Sequence, residues 1–351
     1  MKNKAFSLID RLEKEHVLSL EEYKFLLDSF SPEIMEYARE KAEKVRCGIY
    51  GKDVYIRGLI EISNICKNNC LYCGIRRDNK ACSRYRLSQE DILACCDEGY
   101  ALGFRTFVLQ GGEDPFFTDE VLCELISEIK AKFPDCAITL SLGERSFESY
   151  QALFNAGADR YLLRHETADS EHYSKLHPKE LKLENRMECL KNLKKIGFHV
   201  GCGFMVGSPY QTNETLAKDL KFIEEFSPDM CGIGPFLTHK DTPFADKPPG
   251  SFELTLYCLA LVRLIKPNLL LPSTTALGTI HPQGREMGIK AGANVVMPNL
   301  SPITVRKKYM LYDNKISTDE ESAQCKEALN RRMESIDYHI VTDRGDPKNI
   351  K

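Results

Sequence analysis

Eight short apolar or β-branched runs alternate with helical patterns between residues 54 and 308, and that alternation leaves few folds open. The runs are 54–62 ("VYIRGLIEI"), 106–110, 137–142, 160–166, 199–207, 230–236, 269–275 and 294–298. Apolar residues recur at three- and four-residue spacing over 88–102, 118–132, 147–156, 184–196, 213–226, 251–265, 283–291 and 301–308, the period of an amphipathic helix. A strand followed by a helix, repeated, predicts a parallel sheet. Eight such units favour closure into a complete (βα)8 barrel over an open doubly wound sheet. Glycines punctuate the helix ends in "ALGF", "NAGAD", "KIGF" and "KAGAN", where a left-handed residue closes a helix. The same "AGA" turn before the fourth and eighth runs is a faint sign of internal repetition.

Three segments follow from the pattern. Residues 1–50 carry helical periodicity and no strand, 51–312 hold the alternating units, and 313–351 form a polar C-terminal extension read as helices and coil. With 351 residues, 42% of them hydrophobic, the chain has ample material for one barrel core. A net charge of −3 without a clustered basic face excludes a nucleic-acid footprint. No apolar run reaches the roughly 18 residues of a membrane span. The start, "MKNKAFSLIDRLEKEH", lacks the apolar centre of a signal peptide. The expected setting is therefore the cytoplasm, where thiols stay reduced. Most of the 14 cysteines stand singly, as Cys95, Cys123, Cys189 and Cys258 do, and read as small buried hydrophobes.

The exception is "CKNNCLYC", which sets Cys66, Cys70 and Cys73 directly behind the first strand. In a barrel the chemical groups gather at the C-terminal strand ends, and polar or glycine-rich stretches follow most of the runs. Thiolates are the usual ligands of zinc and of iron–sulfur clusters. Structural zinc wants four protein ligands, so three thiols leave it dependent on a distant fourth. A 4Fe–4S cluster on three thiols keeps one iron open to a small molecule. An electron-transfer cluster would normally have four thiols. On strand four, Leu162, Arg164 and Glu166 share one face, and a charged pair there suits the mouth of the lumen. The competing reading is an internal salt bridge. His165 points the other way and reads as a packed histidine.

The Cys-x3-Cys-x2-Cys spacing, with Tyr72 before the last cysteine, resembles the radical S-adenosylmethionine signature, and "QGGED" resembles that superfamily's Gly-Gly-Glu strand. The resemblance implies a 4Fe–4S cluster on Cys66, Cys70 and Cys73 whose open iron chelates S-adenosylmethionine and reductively cleaves it to a 5′-deoxyadenosyl radical. Tyr72 would lie against the adenine, and Gly111 and Gly112, having no Cβ, would let backbone approach the methionyl ammonium.

The stretches "NICKNNCLYCGIRRDN", "RYRLS", "VLQGGEDPFF", "TLSLGE", "GADRYLLRHETA", "CGIGPF", "HKDTPFA", "TTALGTI" and "GANVVMPN" resemble the FeFe-hydrogenase maturase family HydE over residues 50–312, and more loosely over the N-terminal helices. The fold implied is a complete (βα)8 barrel of the radical S-adenosylmethionine type. The role implied is assembly of the di-iron subcluster of the hydrogenase H-cluster, with the radical attacking sulfur of a cysteine-bound iron carbonyl cyanide complex. Ferredoxin or flavodoxin would be the reductant, and the GTPase scaffold and tyrosine lyase maturases the partners. By the resemblance, Gly112, Glu113, Glu166, Arg186, Met230 and Tyr309 surround S-adenosylmethionine. Thr139, Arg164, Thr274 and Thr275 line an interior anion site for the substrate carboxylate. Arg186 lies early in a helix, where a solvent-facing arginine is the competing reading. The second cluster of some members needs three more cysteines. Here Cys325 stands with Ser317 and Ala328 at the matching positions, so one cluster is expected. Two other readings stay open: a biotin-synthase-like or methylornithine-synthase-like enzyme acting on a small amino acid or thiol compound, and a non-enzymatic iron–sulfur protein.

Overall fold

The computed structural model describes residues 1–316 and 322–348. Three helices open the chain: α1 (Lys2–Glu15), α2 (Leu20–Asp28) and α3 (Pro32–Tyr50). Local chemistry sets their starts. Ser19 caps α2 in a reciprocal capping box with Glu22, and Ser31 caps α3 ahead of a proline in its first turn, the position where a missing N–H costs nothing. The α3 helix packs along α10 (Phe252–Ile265), and α2 along α9 (Asn213–Phe226). The N-terminal helices thus form part of the barrel's outer coat.

The barrel units follow. Strands β1 (Asp53–Ile56) and β2 (Gly58–Ser63) realise the first apolar run, interrupted at Arg57. Then come α4 (Gln89–Ala101), β3 (Thr106–Gly111), α5 (Asp119–Lys132), β4 (Ala137–Ser141), α6 (Phe147–Asn155), β5 (Arg160–Leu162), α7 (Ser170–Leu176), α8 (Leu183–Ile196), β6 (His199–Cys202), β7 (Met205–Val206), β8 (Met230–Cys231) and β9 (Gly234–Pro235). After α10, helices α11 (Thr275–Ile280) and α12 (Gly284–Lys290) precede β10 (Val295–Val296) and the one-turn α13 (Ile303–Arg306). All named pairs are parallel, in the order β2-β3-β4-β5-β6-β8. Single bridges carry the ring onward, from Met230 to Leu270, from Pro272 to Val295 and from Leu59 to Asn299, while β10 pairs with β1. Followed through these bridges, the eighth unit returns to the first and the barrel closes.

The seventh run makes no continuous strand. Pro272 has no N–H to give the ladder, and α11 begins at Thr275, inside the run expected to be extended. Runs five and six are each split in two. Gly203 stands there at φ 152°, and a Cβ on it would lie 2.1 Å from the Gly232 carbonyl oxygen, so two backbones touch where side chains would separate them.

Alternate residues divide the two faces. Ile60, Ile62, Phe107, Leu109, Ile138, Leu140, Tyr161 and Val200 join the large core beneath the helices. A second, small apolar cluster holds Tyr50, Tyr55, Met230, Leu270 and Val295, with Tyr55 against Gly345 at the floor. Among the described residues no helix is long and apolar enough to cross a membrane.

The C-terminal extension is not helices and coil alone. After α14 (Lys326–Glu334) it adds a strand, β11 (His339–Val341), parallel to β1. The chain beyond it stoppers the barrel floor. Arg160, fully buried, donates to the Arg344 carbonyl at 2.8 Å and to Asp346 at 2.6 Å, and Thr106 donates to the same carbonyl at 2.8 Å. Polar residues hid this strand because it sits at an edge, with His339 exposed.

Burial raises the Asp346 carboxyl, but the hydrogen bond and charge of Arg160 outweigh it and hold it at about 2. A depressed carboxylate stabilises the fold above its unfolded value near 3.9 and loses that contribution as pH falls toward 2. Asp346→Ala should cost about 2 kcal/mol at pH 7, less than the roughly 3–5 kcal/mol of breaking a fully buried pair because Asp346 is partly open to solvent. Urea unfolding should show the deficit shrinking between about pH 4 and pH 2.

Candidate active site at the barrel mouth

The loop after β2 carries Cys66, Cys70 and Cys73, all free. Its backbone is pinned from several sides. Lys67 N–H donates to the Glu113 carbonyl at 3.0 Å, Leu71 N–H to Leu176 at 2.9 Å, and Gly74 N–H to Leu311 at 2.8 Å. Arg84 donates to the carbonyls of Asn64, Ile75, Arg76 and Asn79. A Cβ at Gly74 would fall 2.2 Å from the Met310 carbonyl oxygen and 2.3 Å from the His239 ring. Tyr72 hydrogen-bonds His177 Nε2 through its hydroxyl at 3.2 Å and meets that ring edge-on.

The thiols suit a cationic guest. Burial raises Cys66; burial and then the two neighbouring thiols raise Cys70; burial and then Cys66 push Cys73 up to about 12. Such a set becomes thiolate when positive charge enters its midst. Among the described residues no three His, Cys, Asp or Glu side chains are arranged around one metal ion. A 4Fe–4S cluster does not ask for that, because its thiolates bind different irons. The donor set therefore fits a cluster.

Behind the loop lies the Gly-Gly-Glu stretch, and the structure gives Gly112 a sharper reason than approach to a ligand. A Cβ there would lie 2.3 Å from the Ile65 carbonyl oxygen and 2.8 Å from Cys66 Cβ, so Gly112 seats the cysteine loop itself. Gly111 is less tight, at 3.3 Å from Ser63 O. Glu113 pairs with Lys67 at 3.2 Å and accepts from Glu144 N–H at 3.2 Å. Gly143 makes this possible: it has φ 79°, and a Cβ on it would sit 2.1 Å from Glu113 Cγ. A cleft of about 400 Å³ opens here, lined in part by Lys67, Glu113, Leu142, Glu144 and Arg145.

Arg186 is buried, not solvent-facing. Its Nε donates to Glu144 at 2.5 Å and its Nη1 to the Arg164 carbonyl at 2.7 Å. Arg164 and Glu166 approach to 3.0 Å, so the internal ion pair is present. Yet Arg164 Nε and Nη2 and Glu166 Oε2 are buried in no hydrogen bond, the pair being close but poorly aligned. Glu166 adopts φ 65°, so the fourth run, realised as β5, ends its pleat earlier than expected.

Deeper in, Thr139 Oγ1 and Thr274 Oγ1 are buried without partners. Thr275 is different, since its hydroxyl meets Arg285 Nη2 at 3.4 Å. Met230 Sδ accepts from Arg57 at 3.0 Å, and Gln110 donates to the Tyr309 hydroxyl at 3.4 Å. The structure thus gathers most of the expected residues at one end of one lumen. Sequence reasoning missed Gly143, Glu144 and Arg84. The first two lie in "TLSLGE", whose glycine before an acid was the available signal. Cys325 lies in a short turn and Ala328 in α14, while Ser317 falls outside the described residues.

Residues 60–223 match the Radical SAM superfamily. The FeFe-hydrogenase maturase subunit HydE of Thermotoga maritima is 45% identical over 309 residues, 88% of either chain. The 3-methylornithine synthase of Methanosarcina acetivorans is 29% identical over 316 residues, 90% of this chain and 88% of its own. The crystal structure of a methylornithine synthase superposes with a TM-score of 0.83 at 26% identity, over 95% of this chain and 97% of that one. Identity at the level of the Thermotoga protein, sustained across nearly the whole barrel, decides membership: the chain belongs to the radical SAM superfamily and, within it, to the HydE family of FeFe-hydrogenase maturases.

Proposed function

We propose that this chain is a radical SAM enzyme of FeFe-hydrogenase maturation, acting on a cysteine-bound iron carbonyl cyanide complex during assembly of the di-iron subcluster. One arrangement carries the reading. Three free thiols stand at the mouth, and in the lumen below them Thr139 Oγ1, Arg164 Nε and Thr274 Oγ1 are buried without hydrogen-bond partners. Buried polar groups left unpaired are costly, and an anionic ligand would supply the acceptors they lack.

Cys66, Cys70 and Cys73 would hold a single 4Fe–4S cluster. Held there, such a cluster would supply an open iron for S-adenosylmethionine and the electron for its reductive cleavage. Around that pair, Tyr72 would flank the adenine with its ring held by His177. Gly111, Gly112 and Glu113 would border the methionyl ammonium. Arg186 and Glu166 would receive the remaining polar groups, with Met230 and Tyr309 as buried walls. Arg164 would grip the substrate carboxylate, which Thr139, Thr274 and Thr275 would also face. The closed ring and its stoppered floor keep water from a radical. A ferredoxin or flavodoxin would deliver the electron, the GTPase scaffold and tyrosine lyase maturases would be the partners, and a reducing cytoplasm suits 14 cysteines.

Anaerobic maturation of an apo-hydrogenase with the companion maturases tests the role. Wild type should yield hydrogen-evolving enzyme. Cys70→Ser should lose cluster iron, 5′-deoxyadenosine formation and maturation together. Formation of 3-methylornithine in place of maturation would move the chain to the other reading.

Thr274→Val removes a buried hydroxyl that bonds nothing. It should leave stability unchanged or raise it by up to about 1 kcal/mol, while weakening capture of an amino-acid carboxylate about tenfold. Thermal unfolding with and without L-cysteine reads both effects. Gly143→Ala forces an alanine into φ 79° against Glu113; the protein should lose about 1–3 kcal/mol of stability and bind S-adenosylmethionine at least tenfold more weakly, by calorimetric titration.

A further inference from the structure

Asp219 lies in α9 on the outer side of the barrel wall, with no exposure to solvent. Leu216, Leu220, Ile223, Cys202 and Cys258 belong to the same buried core. Among the described residues no lysine or arginine pairs with it. A carboxyl in such a place is expensive, and the bonds it makes show what it is for. Its Oδ1 accepts Ala168 N–H at 2.6 Å and contacts His165 Nε2 at 3.2 Å. On the other edge of that imidazole, Nδ1 accepts Gly203 N–H at 3.3 Å. Nδ1 is therefore the acceptor, and the ring proton lies on Nε2, facing Asp219. The ring is also wedged edge-on against Phe222 and tilted against Phe204.

These bonds bracket a single strained residue. Glu166, directly after His165, holds φ 65°, a conformation that a residue with a Cβ adopts rarely. Its N–H donates to Gly203 O at 3.0 Å, and its own carbonyl accepts Met205 N–H at 3.3 Å. Gly203 thus bonds both His165 and Glu166, while Asp219 ties His165 to Ala168. We propose that His165 and Asp219 form a brace behind the end of β5 that holds the left-handed turn at Glu166, aims Arg164 and Glu166 into the mouth, and so sets the affinity for S-adenosylmethionine. Both are positioning residues. The proposal rests on the reading of Glu166 as a contact of S-adenosylmethionine.

The test uses reconstituted protein of matched iron content. The probe is S-adenosylmethionine, titrated against the EPR signal of the reduced cluster. Asp219→Leu and His165→Phe remove the brace by independent routes, and the phenyl ring preserves the packing if the leucine variant fails to fold. Each should raise the apparent Kd at least about tenfold, while Asp219→Asn, which keeps an acceptor oxygen, should stay within about threefold. Glycine accepts positive φ freely. In a Glu166→Gly background, loss of the brace should therefore add less than about twofold, the non-additivity of coupled residues. Wild-type affinity in both brace variants, or an undiminished effect in the glycine background, overturns the proposal. A Glu166→Gln variant with unchanged affinity sinks the reading of Glu166 instead. The brace is then judged on backbone alone: a crystal structure of Asp219→Leu in which Glu166 keeps its positive φ overturns it, and one in which that turn relaxes supports it.

Discussion

A closed ring of eight parallel strands must be filled, and this one is filled along much of its length with charged and polar groups, several of which keep atoms without hydrogen-bond partners. Arg57, Glu61, Thr139, Arg160 and Arg164 all stand on its strands or directly after them, buried or largely so. Arg57 has two guanidinium nitrogens without hydrogen bonds, and burial, followed by the nearby Arg160, depresses it well below its ordinary value. An apolar filling of Val, Leu and Ile would stabilise such a barrel better. Here that filling is confined to the floor, around Tyr55, Leu270 and Val295. Donors left unpaired in the lumen cost stability.

That choice makes the two ends of the ring matter. Unpaired charge in a low-dielectric space attracts water, so the space must be shut. Below, the chain after β11 closes it, with Arg344 and Asp346 meeting Arg160. Above, the cysteine loop lies across the mouth, and the segment after Tyr309 crosses beside it. Asp313 N–H bonds the Thr238 carbonyl at 2.8 Å, and Lys315, nearly buried, reaches Glu61 and the Tyr309 carbonyl. An extension that looked like an appendage in its composition therefore supplies part of both closures. The energetic reason is the same at each end: a buried charge, Arg160 below and Glu61 above, is tolerable only with its partner.

What the sequence revealed and what it concealed divide along a physical line. Periodicities of two and 3.6 are written into every unit, so the eight repeats and their order were legible from "VYIRGLIEI" to "NVVMP". Thiol spacing was legible because local loops bring Cys66, Cys70 and Cys73 together without help from distant chain. Arg186 was not, since an arginine in the first turns of a helix looks the same whether it faces water or Glu144. Asp219 was hidden likewise, as an acid in "LAKDLKFIEEF" resembles a solvated helix face. Gly143 and Gly112 were visible as glycines, but their reason was not. Each is required by a neighbour far away in sequence, Glu113 for the one and Ile65 with Cys66 for the other.

The contrast between His165 and its neighbours shows how one strand serves two environments. Pleating alone sends Arg164 into the lumen and His165 under the helices, and strict alternation would carry Glu166 on along the same ladder. Instead the backbone turns left-handed at Glu166, and the carboxylate ends within reach of Arg164 rather than two residues further along a straight strand. Such a turn persists only where its surroundings over-determine it. Here they do so from behind, through a histidine packed against Phe204 and Phe222 and an aspartate buried in the helical coat. The shape of the mouth is thus held by the outer wall of the barrel, and core residues at that wall bear on ligand geometry as directly as those that line the lumen.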